Sequence, residues 1–189
     1  MFLPVQNKPD ILPFFEDKVV EIPNVITKDI ANELINFANS ESSGLHRRGS
    51  KNPNFCTASF YTCLVHNTQN FIYEFLDPLW ERYIKEYEPL LTFIEPYEIK
   101  SYVAGDMFGN HHDYLTSKDK KLARKMNLIV QLSDSSEYDG GDLIAGTVTC
   151  SRQFGTGIFF PAYLDHSVTK ITSGTRYSLI GHAWGPVAK

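Results

Sequence analysis

GTGIFFPAYLDHSVTKITSGTRYSLIGHAW (155–184) holds three short β-like runs, GTGIFFPA (155–162), SVTKIT (167–172) and RYSLIGHAW (176–184), parted by Asp, Gly and Ser. Branched and aromatic side chains suit a pleated, half-buried surface, and Gly, Asp and Ser suit the turns between strands. The same texture recurs upstream in GDLIAGTVTC (141–150), MNLIVQL (126–132) and YEIKSYV (97–103). So many short strands in one half of a chain point to a sandwich or barrel. Before Pro96 the pattern differs. VVEIPNVI (19–26) reads as a short strand feeding an amphipathic helix, with Thr27 as N-cap, Asp29 in the first turn, and Ile30, Leu34 and Phe37 at helical spacing. A second helical stretch runs from Gln69 to Tyr87, where Phe71, Phe75, Leu76, Leu79, Trp80, Tyr83 and Ile84 build one broad apolar face and Pro78 forces a kink or a break. Between them, Ser40 to Pro53 is polar and carries Arg47, Arg48 and Lys51, as a mobile surface loop would. The fold class expected is α+β: one domain over residues 1–189, with a helical support region (1–95) in front of a jelly-roll β-core (96–186).

Composition narrows the function classes. The chain has 189 residues, 42% of them hydrophobic, enough for one sizeable core. With 18 basic and 22 acidic residues the formal charge is −4, which offers no footprint for nucleic acid or an anionic membrane. No run approaches the length of a membrane span, and MFLPVQNKPDILPFF (1–15) breaks any signal-peptide core with Pro and Asp, so a cytoplasmic protein is expected. Cys56, Cys63 and Cys150 form neither a CxxC pair nor an even set, and are expected to be buried reduced thiols.

Chemistry concentrates in GNHHD (109–113) and, far downstream, in His166. Residues i and i+2 of a strand share a face, so His111 and Asp113 can converge on one ion while His112 points away. Two imidazoles and one carboxylate occupy one face of an octahedron and leave three positions open, the donor set of non-haem Fe(II) oxygenases. Zinc would favour a tetrahedral set with one open site. Ten positions after His166 stands Arg176, and a turn at Gly174 is expected to return its strand beside the one bearing His166. A guanidinium there suits the distal carboxylate of a dicarboxylic 2-oxoacid, which it can clamp with two parallel hydrogen bonds.

The run Tyr102-x-x-Gly105, His111-x-Asp113, Arg124-Lys125, Gly140-Gly141-Asp142-Leu143, Phe160-Pro161-Ala162, His166-x-Val168, Gly174-x-Arg176-Tyr177-Ser178-Leu179 and Trp184 resembles the 2-oxoglutarate/Fe(II) dioxygenases of the prolyl 4-hydroxylase-like superfamily, including the PKHD-type hydroxylases. The resemblance spans Tyr97 to Trp184. It implies a double-stranded β-helix, with His111, Asp113 and His166 as iron ligands and Arg176 as the anchor of 2-oxoglutarate. It further implies that Tyr102 reaches the cosubstrate or its metal-bound end. Where relatives carry a Tyr or Thr partner for the distal carboxylate, MNLIVQL offers Asn127 and Gln131, and Arg176 is expected to act with Thr169 or Asn127. Asp142 stands where relatives often have Glu, on a turn to which no catalysis is assigned.

The implied reaction consumes 2-oxoglutarate and O2, with ascorbate as an accessory, and oxidises a C–H bond of a peptidyl proline or related residue with release of succinate and CO2. The substrate class expected is a peptide, a protein or a small amino-acid-like molecule. Phe108, Tyr114, Phe159, Phe160 and Tyr163 are candidates to line a dry barrel mouth, although simple packing is the blander account of each. The basic run holding Lys118, Lys120, Lys121, Arg124 and Lys125 reads as a solvated charge run on a lid-like connection. His182 reads as a strand residue rather than a ligand, and His46 and His66 have no carboxylate nearby. Two other classes compete: a cupin-like metalloenzyme that does not use 2-oxoglutarate, with three histidines and a Glu, and a non-enzymatic jelly-roll binding module.

Overall fold

The computed structural model describes residues 19–40, 46–48, 55–62, 71–86 and 91–187. In chain order the elements are β1 (Val20–Ile22), α1 (Lys28–Asn39), β2 (His46–Arg48), β3 (Ser59–Thr62), α2 (Phe71–Glu86), β4 (Phe93–Ile94), β5 (Glu98–Val103), β6 (Phe108–His111), β7 (Leu122–Gln131), β8 (Tyr138–Gly140), β9 (Leu143–Ala145), β10 (Val148–Thr149), β11 (Gly157–Pro161), β12 (His166–Val168) and β13 (Ile171–Pro186). They form a nine-stranded sheet, ordered β1-β11-β7-β13-β5-β3-β2 with β4 and β8 also on β13, and a four-stranded sheet, ordered β10-β9-β12-β6. Every pairing is antiparallel.

The long strands of the larger sheet are covered on both faces, which is why they read as nearly unbroken apolar runs. Alternation sorts their side chains into two cores. Ile99, Leu128, Val130, Phe159, Leu179 and Ala183 pack outward against Ala31, Leu34 and Ala38 of α1 and Leu76, Leu79 and Trp80 of α2. Tyr102, Ile129, Ile158, Phe160 and Ile180 pack inward against Leu143, Ala145 and Val168 of the smaller sheet. Trp80 anchors the outer core: it is fully buried, meets Phe159 edge-on at 5.0 Å and donates to the Tyr97 hydroxyl at 3.1 Å. Truncating such a residue costs about 3–5 kcal/mol.

The helices form much as expected. The Thr27 hydroxyl accepts from the Ile30 N–H at 3.4 Å, and Ala31, Leu34 and Ala38 fall on the buried face. Three readings need correction. Helix α2 runs through Pro78 without a break; the carbonyl that Pro78 cannot satisfy belongs to Glu74, and both residues are exposed, so water can replace the lost bond. Phe75 is 44% exposed rather than on the apolar face. The region before Pro96 is not only helical support, because it adds β1 beside β11 and the pair β2–β3 beside β5. Arg47 and Arg48 therefore lie in an edge strand, not a loop; the rest of 41–53, with Lys51, falls outside the described residues.

The largest correction concerns Gly174. SVTKIT and RYSLIGHAW are not two strands joined by a turn there. The first splits between β12 and the start of β13, and β13 runs unbroken past Gly174. Gly174 has φ +73°, and a Cβ on it would sit 2.0 Å from the Glu137 carbonyl oxygen. A left-handed residue lets one strand change course in place, passing from the β8 pairing to the β5 pairing. The pair Gly140–Gly141, at φ +71° and +67°, makes the expected turn, and a Cβ on Gly140 would meet the Lys170 carbonyl oxygen at 2.1 Å.

Candidate metal centre

His111 ends β6 and His166 opens β12, and the two are direct register partners. Asp113 lies just beyond β6 rather than within it, its N–H held by the Ala162 carbonyl at 2.8 Å. One ligand atom from each of the three lies within 4.8 Å of the others; Nε2 of His166 is 3.2 Å and Nε2 of His111 3.8 Å from the Asp113 carboxylate. His112 is exposed. Nδ1 of His111 sits 2.8 Å from the Gly109 carbonyl and Nδ1 of His166 3.1 Å from the Leu164 carbonyl. A carbonyl can only accept, so each Nδ1 donates, which leaves the Nε2 of each ring as the atom able to face an ion. Burial, with His166 alongside, lowers the pKa of His111 to about 4, which keeps it neutral. For Asp113 burial pulls upward, but His166, 3.2 Å away, and the nearby His182 and Lys100 hold the carboxyl well below its usual range. Nε2 of His111 is buried without a hydrogen-bond partner, as an ion-binding nitrogen would be. Among the described residues no fourth His, Cys, Asp or Glu joins the group.

Arg124 supports this cluster and is no solvated charge. It lies half-buried near the start of β7, takes Glu95 in a two-pronged pair at 2.8–3.0 Å, and directs Nη1 to the Asp113 carbonyl at 3.5 Å and its carboxylate at 3.9 Å. The Trp184 indole also donates to Glu95. Lys118, Lys120 and Lys121 do remain exposed.

Across the inner core, Arg176 stands opposite Tyr102 in the β13–β5 register, and its guanidinium carbon is 5.4 Å from the Tyr102 ring centroid. It is 1% exposed. Nη2 donates to the Gln131 Oε1 at 3.0 Å, while Nε and Nη1 are buried with no partner. A buried guanidinium with open donors is costly unless an anion fills the space. Burial raises the Tyr102 phenol well above its ordinary range, so it stays protonated. Gln131, held in turn by the Ser151 carbonyl at 2.9 Å, is thus the residue that meets Arg176. Thr169 instead accepts from the Asp142 N–H at 2.8 Å and donates to its carboxylate, serving the Gly140–Gly141–Asp142 turn. Asn127 receives His182 Nδ1 at 2.8 Å and leaves its own Nδ2 buried without a partner. His182 is buried in the inner core, and burial lowers its pKa to about 3.

Of the aromatic candidates, Phe108 stacks on His111 at 3.8 Å and Phe160 meets His166 edge-on at 4.9 Å. Phe159 faces the other core, and Tyr114 and Tyr163 are 37% and 43% exposed. Two residues went unread in the sequence. Lys100 and Ser178 are buried on the inner face, and strand alternation from Tyr102 and Arg176 is the signal that would have found them. Cys56 and Cys150 are buried, and burial pushes the Cys150 thiol up to about 12. Cys63 and His66 lie outside the described residues; no described helix is long and apolar enough to cross a membrane.

Residues 97–184 match the model of the 2OG-Fe(II) oxygenase superfamily. A PKHD-type hydroxylase of a Caulobacter species is 34% identical over 83 residues, 40% of this chain and 37% of that protein. A PKHD-type hydroxylase of Prochlorococcus marinus is also 34% identical over 83 residues, 41% of this chain and 36% of that protein. The chain thus spans little more than a third of the length of these relatives. The fold is shared with a viral collagen prolyl hydroxylase of Paramecium Bursaria Chlorella virus-1 in complex with 2OG (TM-score 0.68, 16% identity, 89% of this chain and 96% of that one). It is shared too with a Pseudomonas putida prolyl-4-hydroxylase (TM-score 0.69, 15% identity, 87% and 91%). A prolyl hydroxylase from Trichoplax adhaerens, in complex with a hypoxia inducible factor peptide fragment, matches at TM-score 0.70 with 15% identity over 89% and 84%.

Proposed function

We propose that this chain, whose residues 97–184 match the model of the 2OG-Fe(II) oxygenase superfamily, is a catalytic domain of that superfamily, prolyl 4-hydroxylase-like in type, that hydroxylates a peptidyl proline or a related residue. One observation carries the reading: Arg176, buried with two open donors, shares the inner core with the His111–Asp113–His166 cluster. The donor set fits Fe(II), and the open guanidinium fits the distal carboxylate of 2-oxoglutarate. When bound, iron, 2-oxoglutarate and O2 supply the oxidising chemistry, with succinate and CO2 as co-products. The chain's own part is positional. His111, Asp113 and His166 present three ligand atoms, with both rings locked by backbone carbonyls. Arg176, oriented by Gln131, neutralises the distal carboxylate, and the protonated Tyr102 phenol is a donor beside it. Phe108 and Phe160 cover the two histidine rings and keep water from them. A cupin-like enzyme without 2-oxoglutarate would leave Arg176 without a task.

The test is anaerobic titration of the metal-free protein with Fe(II) and 2-oxoglutarate. A visible charge-transfer band is expected in wild type and absent in Asp113→Ala. No band in wild type overturns the proposal.

A further inference from the structure

Along the inward face of β7 and β13 the register lays down three rows: Gln131 beside Ser178, Ile129 beside Ile180, and Asn127 beside His182. The first row meets Arg176 through Gln131, and the Nε and Nη1 of Arg176 are buried without a partner. The middle row is apolar and buried. The third row is polar again. Asn127 is 0% exposed, its Oδ1 takes His182 Nδ1 at 2.8 Å, and its Nδ2 is buried without a partner. The bond to His182 fixes which way the carboxamide is turned, so the end left open is the donor end. A buried amide nitrogen with no acceptor calls for an explanation, and a ligand that brings the acceptor is one.

The third row adjoins the three candidate ligands. Phe160, the register partner of Asn127 on β11, meets the His166 ring at 4.9 Å. The Ala162 carbonyl holds the Asp113 N–H, and the Ala162 N–H in turn bonds the carbonyl of Lys125, two positions before Asn127. His182 is close enough to Asp113 and His166 to interact with both electrostatically.

We infer that Asn127, held in place by His182, donates to the metal-side carboxylate of the cosubstrate, and that the three rows together measure the length of a five-carbon diacid. This rests on the oxygenase reading and deepens it. Open donors stand at both ends of one face, with the apolar Ile129–Ile180 row between them. A dicarboxylate with methylene carbons in its middle has the same order of polar and apolar parts. The lengths agree as well. Four strand residues from Gln131 to Asn127 cover roughly 13 Å. The carbon chain of an extended five-carbon diacid is roughly 5 Å long, and a C–O bond plus a hydrogen bond of about 3 Å at each end brings the span between donors to roughly 13 Å. A shorter diacid would leave the donors at one end unpaired, and a longer one would have to buckle over the two isoleucines.

The experiment uses the Fe(II)-loaded protein without oxygen, and reads calorimetric affinity for 2-oxoglutarate together with the position of the charge-transfer band at saturation. Asn127→Leu is expected to weaken 2-oxoglutarate by roughly tenfold to a hundredfold, because a hydrogen bond to a charged oxygen is lost. It should also move the band, since the lost contact is at the metal side, whereas Arg176→Met should weaken 2-oxoglutarate and leave the band where it is. Fe(II) affinity, measured before any acid is added, should be the same in Asn127→Leu as in wild type. His182→Asn keeps a donor near the Nδ1 position and should retain most of the 2-oxoglutarate affinity; His182→Leu should lose it as Asn127→Leu does. Oxaloacetate and 2-oxoadipate, one carbon shorter and one longer, should bind wild type roughly tenfold or more weakly than 2-oxoglutarate. Melting temperatures monitor the fold, and Asn127→Ser replaces the Leu variant should it not fold. Unchanged 2-oxoglutarate affinity in Asn127→Leu, a weakening with the band unmoved, an equal loss of Fe(II) affinity, or equal binding of the three diacids would each overturn the inference while leaving the oxygenase reading in place. A missing band in wild type would bring down both.

Discussion

The two sheets that enclose the inner core divide the work unequally. The smaller one is made of strands of two to four residues, and it holds two of the three candidate metal ligands, His111 and His166, as direct register partners. The larger one is built on β7 and β13, ten and sixteen residues long, and carries Arg176, Gln131, Lys100, Ser178, Asn127 and His182 on its inward face. A metal site needs only three donors at short range, which a small patch of sheet can set. Recognition of extended anions needs cations spaced along a rigid surface, which takes long strands held on both sides.

That division can be broken from either side. The largest effect is expected from His166→Ala, which should abolish Fe(II) binding in a metal titration while circular dichroism still reports the folded sheets. Arg176→Met should do the converse, leaving metal binding intact and weakening 2-oxoglutarate by about 2–5 kcal/mol, the usual cost of truncating a buried charged partner; equal loss of metal would show that the sheets are not separable. Arg124→Met, which removes the support under Asp113, should lower metal affinity by roughly tenfold to a hundredfold. Gly174→Ala tests the bend that makes β13 one strand, and should destabilise by about 1–3 kcal/mol in chemical denaturation, since the Cβ meets the Glu137 carbonyl at φ +73°. The smallest effect belongs to Lys121→Ala. Lys121 is 80% exposed with Asp119 3.8 Å away, and its loss should shift stability by less than about 0.5 kcal/mol and leave both ligands' affinities unchanged.

Much of the site was legible because its signals are local. His111 and Asp113 are two apart, and the exposed His112 between them follows from strand alternation. Even here the reason was partly off: β6 stops at His111, and Asp113 is placed by the Ala162 carbonyl and by Arg124, both distant in sequence. The partner of Arg176 could not be read, since Asn127 and Gln131 both face inward from β7 and only the β13 register puts Ser178 opposite Gln131 and His182 opposite Asn127. Thr169 sits close to Arg176 in sequence, yet its hydroxyl is taken by the Asp142 turn. Phe159 and Phe160 are adjacent and equally aromatic, but alternation sends one to the helices and the other to His166.

By itself, the sequence determined the β-rich class, the helical capping by Thr27, the turn at Gly140–Gly141 and the three residues proposed to hold a metal. Each depends on steric preferences or spacings that act over a few residues. Tertiary structure alone decided that β13 is one strand running past Gly174, that Arg124 lies half-buried against Asp113, and that Lys100 lies beside Ser178 in the inner core. Those depend on which strands pair and in what register, and register is set by the summed burial of two whole faces rather than by any short run of residues.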